Sequence, residues 1–119
     1  YSWGANELGQ LGIENRDLGE SPQQLIFPDT IIIKSVSCGG YHSMALTQNG
    51  EVYSWGSNGL VDRIPRKIKL SNIMTMSCGY QFTILITMDG RMYTCGNNSK
   101  GQLGLGDTKH RDEPTEIVI

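Results

Sequence analysis

The residues in this chain with catalytic chemistry are few, and the most reactive pair sits in a repeated segment. His42 stands beside Ser43 in a glycine-rich corner, a pairing that could supply a general base and a nucleophile. The residue at the same place in a second copy of the segment is Phe82. A position that takes imidazole or phenyl reads as packing with an optional hydrogen bond. The other histidine, His110, lies in a charged loop, so a Ser-His-Asp set would need a partner from outside the chain. Cys38, Cys78 and Cys95 are 40 and 17 residues apart (78 − 38 and 95 − 78), which makes neither a disulfide framework nor a Cys-x-x-Cys pair. No histidine or carboxylate stands at ligand spacing beside Cys38 or Cys78, so these thiols read as packing residues of a reducing compartment, and no metal or cofactor is expected.

Two further stretches imitate binding motifs. Gly101-Gln102-Leu103-Gly104-Leu105-Gly106 resembles a phosphate loop, but its glycine order is reversed, no helix pattern follows, and no Gly-Lys-Ser/Thr appears. It reads as a loop whose amide side chains bond its own backbone. Asn97-Asn98-Ser99 has the form of a glycosylation sequon and reads as accidental in a chain expected to be intracellular, cytoplasmic or nuclear. The densest charge is Asp62 to Lys69, where Arg63, Arg66, Lys67 and Lys69 surround Pro65. Proline marks an edge strand or loop, and lysines protect sheet edges from unwanted pairing. Edge protection is therefore the favoured reading, and a docking patch for an acidic partner the alternative. Glu14 to Glu20 and Asp107 to Glu113 read as rims of mixed charge.

Net charge is −2 with 18% charged residues, which argues against steering onto nucleic acid or an anionic membrane. Apolar runs such as Ile31 to Ile33 are far too short for a membrane-spanning helix. Fifteen glycines against four prolines point to many tight turns, and 38% hydrophobic content suffices for a layered core.

What must position the candidate residues is a repeat. Residues 35–56 and 75–96 align without a gap, with Cys78 and Cys38, like Tyr93 and Tyr53, 40 residues apart; the preceding interval, Tyr1 to Tyr53, is 52. Each copy reads as short strands joined by turns, with no sustained helical period. First strands are expected at Ile31 to Ser37 and Ile73 to Ser77, ending at Cys38-Gly39 and Cys78-Gly79. Second strands follow at Tyr41 to Thr47 and Phe82 to Thr87, then Asn49-Gly50 and Asp89-Gly90, dipeptides suited to type I′ hairpins. Third strands, Glu51 to Trp55 and Arg91 to Cys95, close at Gly56 and Gly96, and outer strands are expected at Gln23 to Phe27, Arg66 to Leu70 and Thr115 to Ile119. Between third and outer strands lies the variable loop, Gly4 to Gly12 and Gly96 to Gly104, shortened in the middle copy to Gly56 to Leu60. Trp3, Trp55 and Cys95 share one repeat position and read as packing, with the thiol leaving less volume to fill the last copy. Three or four antiparallel strands, repeated, match the blade of a β-propeller.

The segments Cys-Gly-x-x-His-Ser-x-Ala-Leu-Thr (38–47), Asn-Gly-x-Val-Tyr-Ser-Trp-Gly (49–56) and Gly-x-Asn-x-x-Gly-Gln-Leu-Gly (96–104) resemble the regulator-of-chromosome-condensation repeat along essentially the whole chain. The resemblance implies an all-β, partial β-propeller of about two blades plus part of another, from a parent with seven. The repeats divide as 1–52, 53–92 and 93–119, and the opening at Tyr1 within a repeat motif, without a methionine or a leader pattern, leads to the expectation of an excerpt from a larger propeller. It further implies a non-catalytic protein-interaction module, with guanine-nucleotide exchange on a small GTPase, or substrate recognition within a ubiquitin ligase, as the alternatives. Expected partners are a GTPase or acidic protein surface, and further blades in cis or by self-association.

Overall fold

The computed structural model describes residues 2–4, 19–23, 27, 31–57 and 61–118, all of them strands, turns and loops without a helix among those residues. Among the described residues, ten strands form three antiparallel sheets. The first pairs β1 (Ser2–Gly4) with β2 (Gly19–Gln23). The second runs in chain order through β3 (Ile33–Cys38), β4 (His42–Thr47), β5 (Val52–Ser57) and β6 (Val61–Lys67). The third repeats that order with β7 (Ile73–Cys78), β8 (Phe82–Thr87), β9 (Met92–Gly96) and β10 (Arg111–Ile117). Each four-stranded meander has the form of a propeller blade, and β1–β2 is part of another.

Alternation along β4 explains how the sheets stack. Residues in cross-strand register share a face. His42, Met44 and Leu46, with Val52 opposite Leu46, face the third sheet and pack with Ile73 and Leu85 in one buried cluster. Ser43 and Ala45 look the other way, in register with Trp55 and Tyr53, whose rings meet Phe27 at 6.1 and 5.5 Å between centroids. The central strand of the second sheet is thus covered on both faces. In β8 only alternate residues are buried: Thr83, Leu85 and Thr87 lie against the second sheet, while Phe82, Ile84 and Ile86 are half-exposed.

The turns correct one expectation. A type I′ hairpin needs positive φ at two adjacent residues, but only Gly50 (φ 82°) and Gly90 (φ 85°) have it in their turns. The N–H of Gly50 donates to the carbonyl of Thr47 (3.2 Å), the N–H of Thr47 to Glu51 (2.8 Å), and the Thr47 hydroxyl accepts from the Glu51 N–H (3.1 Å). This is a three-residue loop closed by a left-handed glycine, and Thr87, Gly90 and Arg91 repeat it. The Thr87 hydroxyl also donates to the Asp89 carboxylate, and that bond is the main reason the carboxyl sits below its usual range.

A second correction concerns the outer strands, at 19–23, 61–67 and 111–117, which begin four or five residues and end two to four residues earlier than expected (23 − 19, 66 − 61, 115 − 111; 27 − 23, 70 − 67, 119 − 117). Register shifts between Ser54 and Gly56 and between Arg111 and Thr115 let these strands run past a bulge to pair with Gly56 in β5 and with Gly96 at the end of β9, both of which take positive φ (91° and 106°). Residues 24–26, the variable loop at 5–12, the acidic residues 14–18 and the tip at 58–60 lie outside the described residues.

Candidate functional site

The second and third sheets meet at their Cys-Gly corners. The N–H of Gly40 donates to the carbonyl of Tyr80 (2.9 Å), and the ring of Tyr80 lies so close that a Cβ on Gly40 would sit 2.5 Å from it. The hydroxyl of Tyr80 donates to that of Tyr41 (2.7 Å), with the rings edge to face at 5.1 Å. At the far end of the joint, the N–H of Ile73 donates to the carbonyl of Gly50 (2.9 Å).

His42 lies inside this joint, 1% exposed, with Nε2 3.1 Å from the hydroxyl oxygen of Thr83. Because the Thr83 hydroxyl donates to the sulfur of Met44 (3.3 Å), its oxygen is the acceptor for an Nε2–H, and Nδ1 is left buried without a partner. Burial lowers the imidazole pKa to about 4. The ring therefore has no route to an external substrate. In the third sheet the ring of Phe82 lies against Gly79 in the same manner, 2.2 Å from where a Cβ would be.

The thiols of Cys38 and Cys78 do not face each other across the joint. Cys38 is in register with Ser43, on the face turned away from the third sheet, whereas Cys78 is in register with Thr83, on the face turned toward the second. Burial is the main cause of a raised Cys78 pKa, opposed by hydrogen bonds with Ser37 and Thr83. Cys95, 3% exposed, stays buried at the place where the second sheet has Trp55. Alkylation of the native protein at pH 8, followed by peptide mass spectrometry, is expected to label exposed Cys38 first, Cys78 more slowly, and Cys95 only on unfolding.

After Gly96 the chain folds around one side chain that the motif reading passed over. Asn98 is completely buried. Its Nδ2 lies 2.9 Å from the carbonyl of Lys109, 3.1 Å from that of Asp107 and 3.0 Å from the Asp107 carboxylate, while Oδ1 accepts the Leu103 N–H at 3.0 Å. Leu103 is fully buried, and the Thr94 hydroxyl donates to its carbonyl (2.9 Å). Arg111 binds Asp107 at 2.8 Å; this contact, then the Lys109 N–H, holds the Asp107 carboxyl below its usual range. Gly101 and Gly104 take φ values of 71° and 72°, and the side chain of Gln102 accepts from the Lys100 N–H. The N–H groups of Gly101, Leu103 and Gly104 are all bonded within the loop, so none of the three is free to cradle a phosphate. The readable signal was an asparagine two residues after the closing glycine in each copy, at Asn6, Asn58 and Asn98.

The basic stretch lies on β6, the outer edge of the second sheet. Lys67 pairs with Glu51 at 2.9 Å, which raises its pKa, and Lys69, in the connection after β6, reaches Glu113 of β10 at 3.1 Å. Arg66 stands in register with Ser54; the side chain of Arg63 lies outside the described residues. Among the described residues no group of three His, Cys, Asp or Glu side chains could hold a metal ion, and no helix is long and apolar enough to cross a membrane.

Repeated four-stranded sheets joined at glycine corners define a propeller-blade repeat protein. Two sequence profiles, each described as the regulator of chromosome condensation (RCC1) repeat, match the chain: one at 33–60 and 75–102, the other at 1–46 and 89–119. The chain belongs to the RCC1 repeat family. Over 59 residues it is 44% identical to human "Probable E3 ubiquitin-protein ligase HERC6", covering 49% of this chain and 6% of that protein. It is also 41% identical over 59 residues to the Saccharomyces cerevisiae "Guanine nucleotide exchange factor SRM1", covering 46% of this chain and 12% of that protein. The crystal structure of Prp20p from Saccharomyces cerevisiae, described together with its binding to Gsp1p and histones, matches with a TM-score of 0.89 at 25% identity over 98% of this chain and 33% of that one. The chain thus spans a small fraction of the sequence relatives and a third of the solved propeller.

Proposed function

We propose that the protein is a non-catalytic interaction module of an RCC1-type propeller, working in the cytoplasm or nucleus. The observation that supports this reading most directly is that the buried polar side chains are turned inward. His42, Thr83, Thr94 and Asn98 make their hydrogen bonds between the sheets and within the loop after Gly96, leaving a basic sheet edge for solvent. The same repeat also occurs in proteins named as an exchange factor and as a ligase, so the repeat itself does not specify an activity.

Arg63, Arg66, Lys67 and Lys69 are the proposed contact for an acidic protein surface. Ion pairs as exposed as Lys67–Glu51 and Lys69–Glu113 are screened by solvent, so an acidic partner can displace the internal carboxylates at little cost. Reversing the four charges is expected to weaken capture of an acidic partner at least tenfold and to make the remaining binding less salt-sensitive. Unchanged binding would return the stretch to edge protection. Guanine-nucleotide exchange is the second reading, favoured by the likeness to SRM1 and Prp20p. Nucleotide release from a panel of small GTPases, measured with the whole protein, separates the two: no acceleration leaves the interaction module, and acceleration establishes exchange.

A further inference from the structure

We infer that the joint between the second and third sheets is acid-sensitive, with His42 as the group that opens it when it takes up a proton. The case rests on the geometry of the joint. An imidazolium carries two N–H donors, and this ring has one acceptor: the Thr83 oxygen, whose own proton goes to the sulfur of Met44. Nδ1 is buried against Gly39 without a hydrogen-bond partner; a Cβ there would lie 2.5 Å from Nδ1 and 2.4 Å from the Gly79 carbonyl oxygen, an acceptor that does not bond the ring while the joint is closed. A charge there would be both desolvated and unpaired.

The neighbours offer no described counter-charge. From β7 comes Cys78, whose thiol stays neutral well above pH 7; from the following corner comes Tyr80, whose hydroxyl is bonded to Tyr41 and also has a raised pKa. Cys38 of β3 points to the other face. Asp62 occupies the same cross-strand row, with Gly56 between it and His42, about 10 Å away at the spacing of two strands.

The sign follows from linkage. A histidine of ordinary pKa 6.5 that titrates at about 4 when folded leaves stability untouched above pH 6.5, erodes it as pH falls from 6.5 to about 4, and adds no further loss below that. A difference of about 2.5 pK units corresponds to a fall on the order of 300-fold in the closing equilibrium. The third sheet has Phe82 at the same place and is built without such a group.

The test is NMR titration of the His42 ring in the whole protein, together with amide hydrogen exchange from pH 7 to pH 4, corrected for intrinsic rates. The expected result is titration near pH 4, with the inter-sheet amides of Gly40 and Ile73 losing protection before amides bonded within the sheets. His42→Phe is expected to flatten that loss. A ring titrating near 6.5 overturns the inference, as does an undiminished acid loss in His42→Phe, or its disappearance in Asp62→Asn with His42 intact. Should His42→Phe fail to fold, the titration of the unaltered ring decides alone.

Discussion

Replacing Asn98 with alanine is expected to lower stability by about 3–5 kcal/mol, a large share of the ~5–15 kcal/mol that holds a typical domain. One buried amide does the work of several loop contacts. It accepts the N–H of Leu103 and offers its two protons to three oxygens from Asp107 and Lys109, so the chain between 98 and 109 is folded around it. Truncation leaves the buried Leu103 N–H without its acceptor and takes the Asn98 amide from the Asp107 carbonyl, while the Lys109 carbonyl keeps only its bond from Arg111 (2.7 Å); an orphaned buried group costs ~1–3 kcal/mol. It also frees Leu103, whose fully buried side chain is held in part by the bond from Thr94. Asn98→Asp is expected to be no better, because a carboxylate donates nothing and would face the Asp107 carboxylate at the distance where the amide now sits. Urea unfolding followed by tryptophan fluorescence reads both variants. A loss below about 1 kcal/mol in Asn98→Ala would show that the loop holds without its centre.

Local signals made most of the fold readable. Cys-Gly corners, the Asn-Gly and Asp-Gly turns and the closing glycines recur at fixed offsets, and each is a local requirement that a sequence states directly. The turns were located correctly but typed wrongly, because Asn-Gly and Asp-Gly suit either a two-residue hairpin or a three-residue loop. The choice was made by the Thr47 and Thr87 hydroxyls capping the N–H groups of Glu51 and Arg91. The outer strands were misplaced since Arg111-Asp112-Glu113-Pro114 has no strand character of its own and is brought alongside Gly96 by a bulge. The partners of Lys67 and Lys69 lie 16 and 44 residues away along the chain (67 − 51 and 113 − 69), and nothing in the stretch itself announces them. Asn98 was hidden for the same reason: its partners arrive from three places in a loop whose path only the folded chain defines.

Gly39→Ala is expected to destabilise the protein by about 3 kcal/mol, at the upper end of ordinary overpacking, although alanine is the smallest change available. Gly39 is not among the glycines with positive φ, so the backbone angle gives it no need to lack a side chain. What excludes a Cβ is contact with two neighbours at once: His42 Cε1 at 2.3 Å on its own sheet, and the carbonyl oxygen of Gly79 at 2.4 Å on the next. The ring can shift; the carbonyl belongs to a backbone corner whose Gly79 N–H is bonded to the Phe82 carbonyl, so relief means parting the sheets. Gly90→Ala provides the comparison. Nothing lies within 4 Å of its Cβ position, and only its φ of 85° resists, a strain of about 1–2 kcal/mol. A double-mutant cycle with His42→Ala then apportions the larger loss. Full recovery in Gly39→Ala/His42→Ala would place the whole conflict on the ring. The structure instead leads to partial recovery, because the Gly79 carbonyl remains 2.4 Å from the new methyl after the ring is gone. That remainder measures how closely the two backbones approach at Gly39, whereas at Gly79 the three atoms nearest a Cβ all belong to the Phe82 ring.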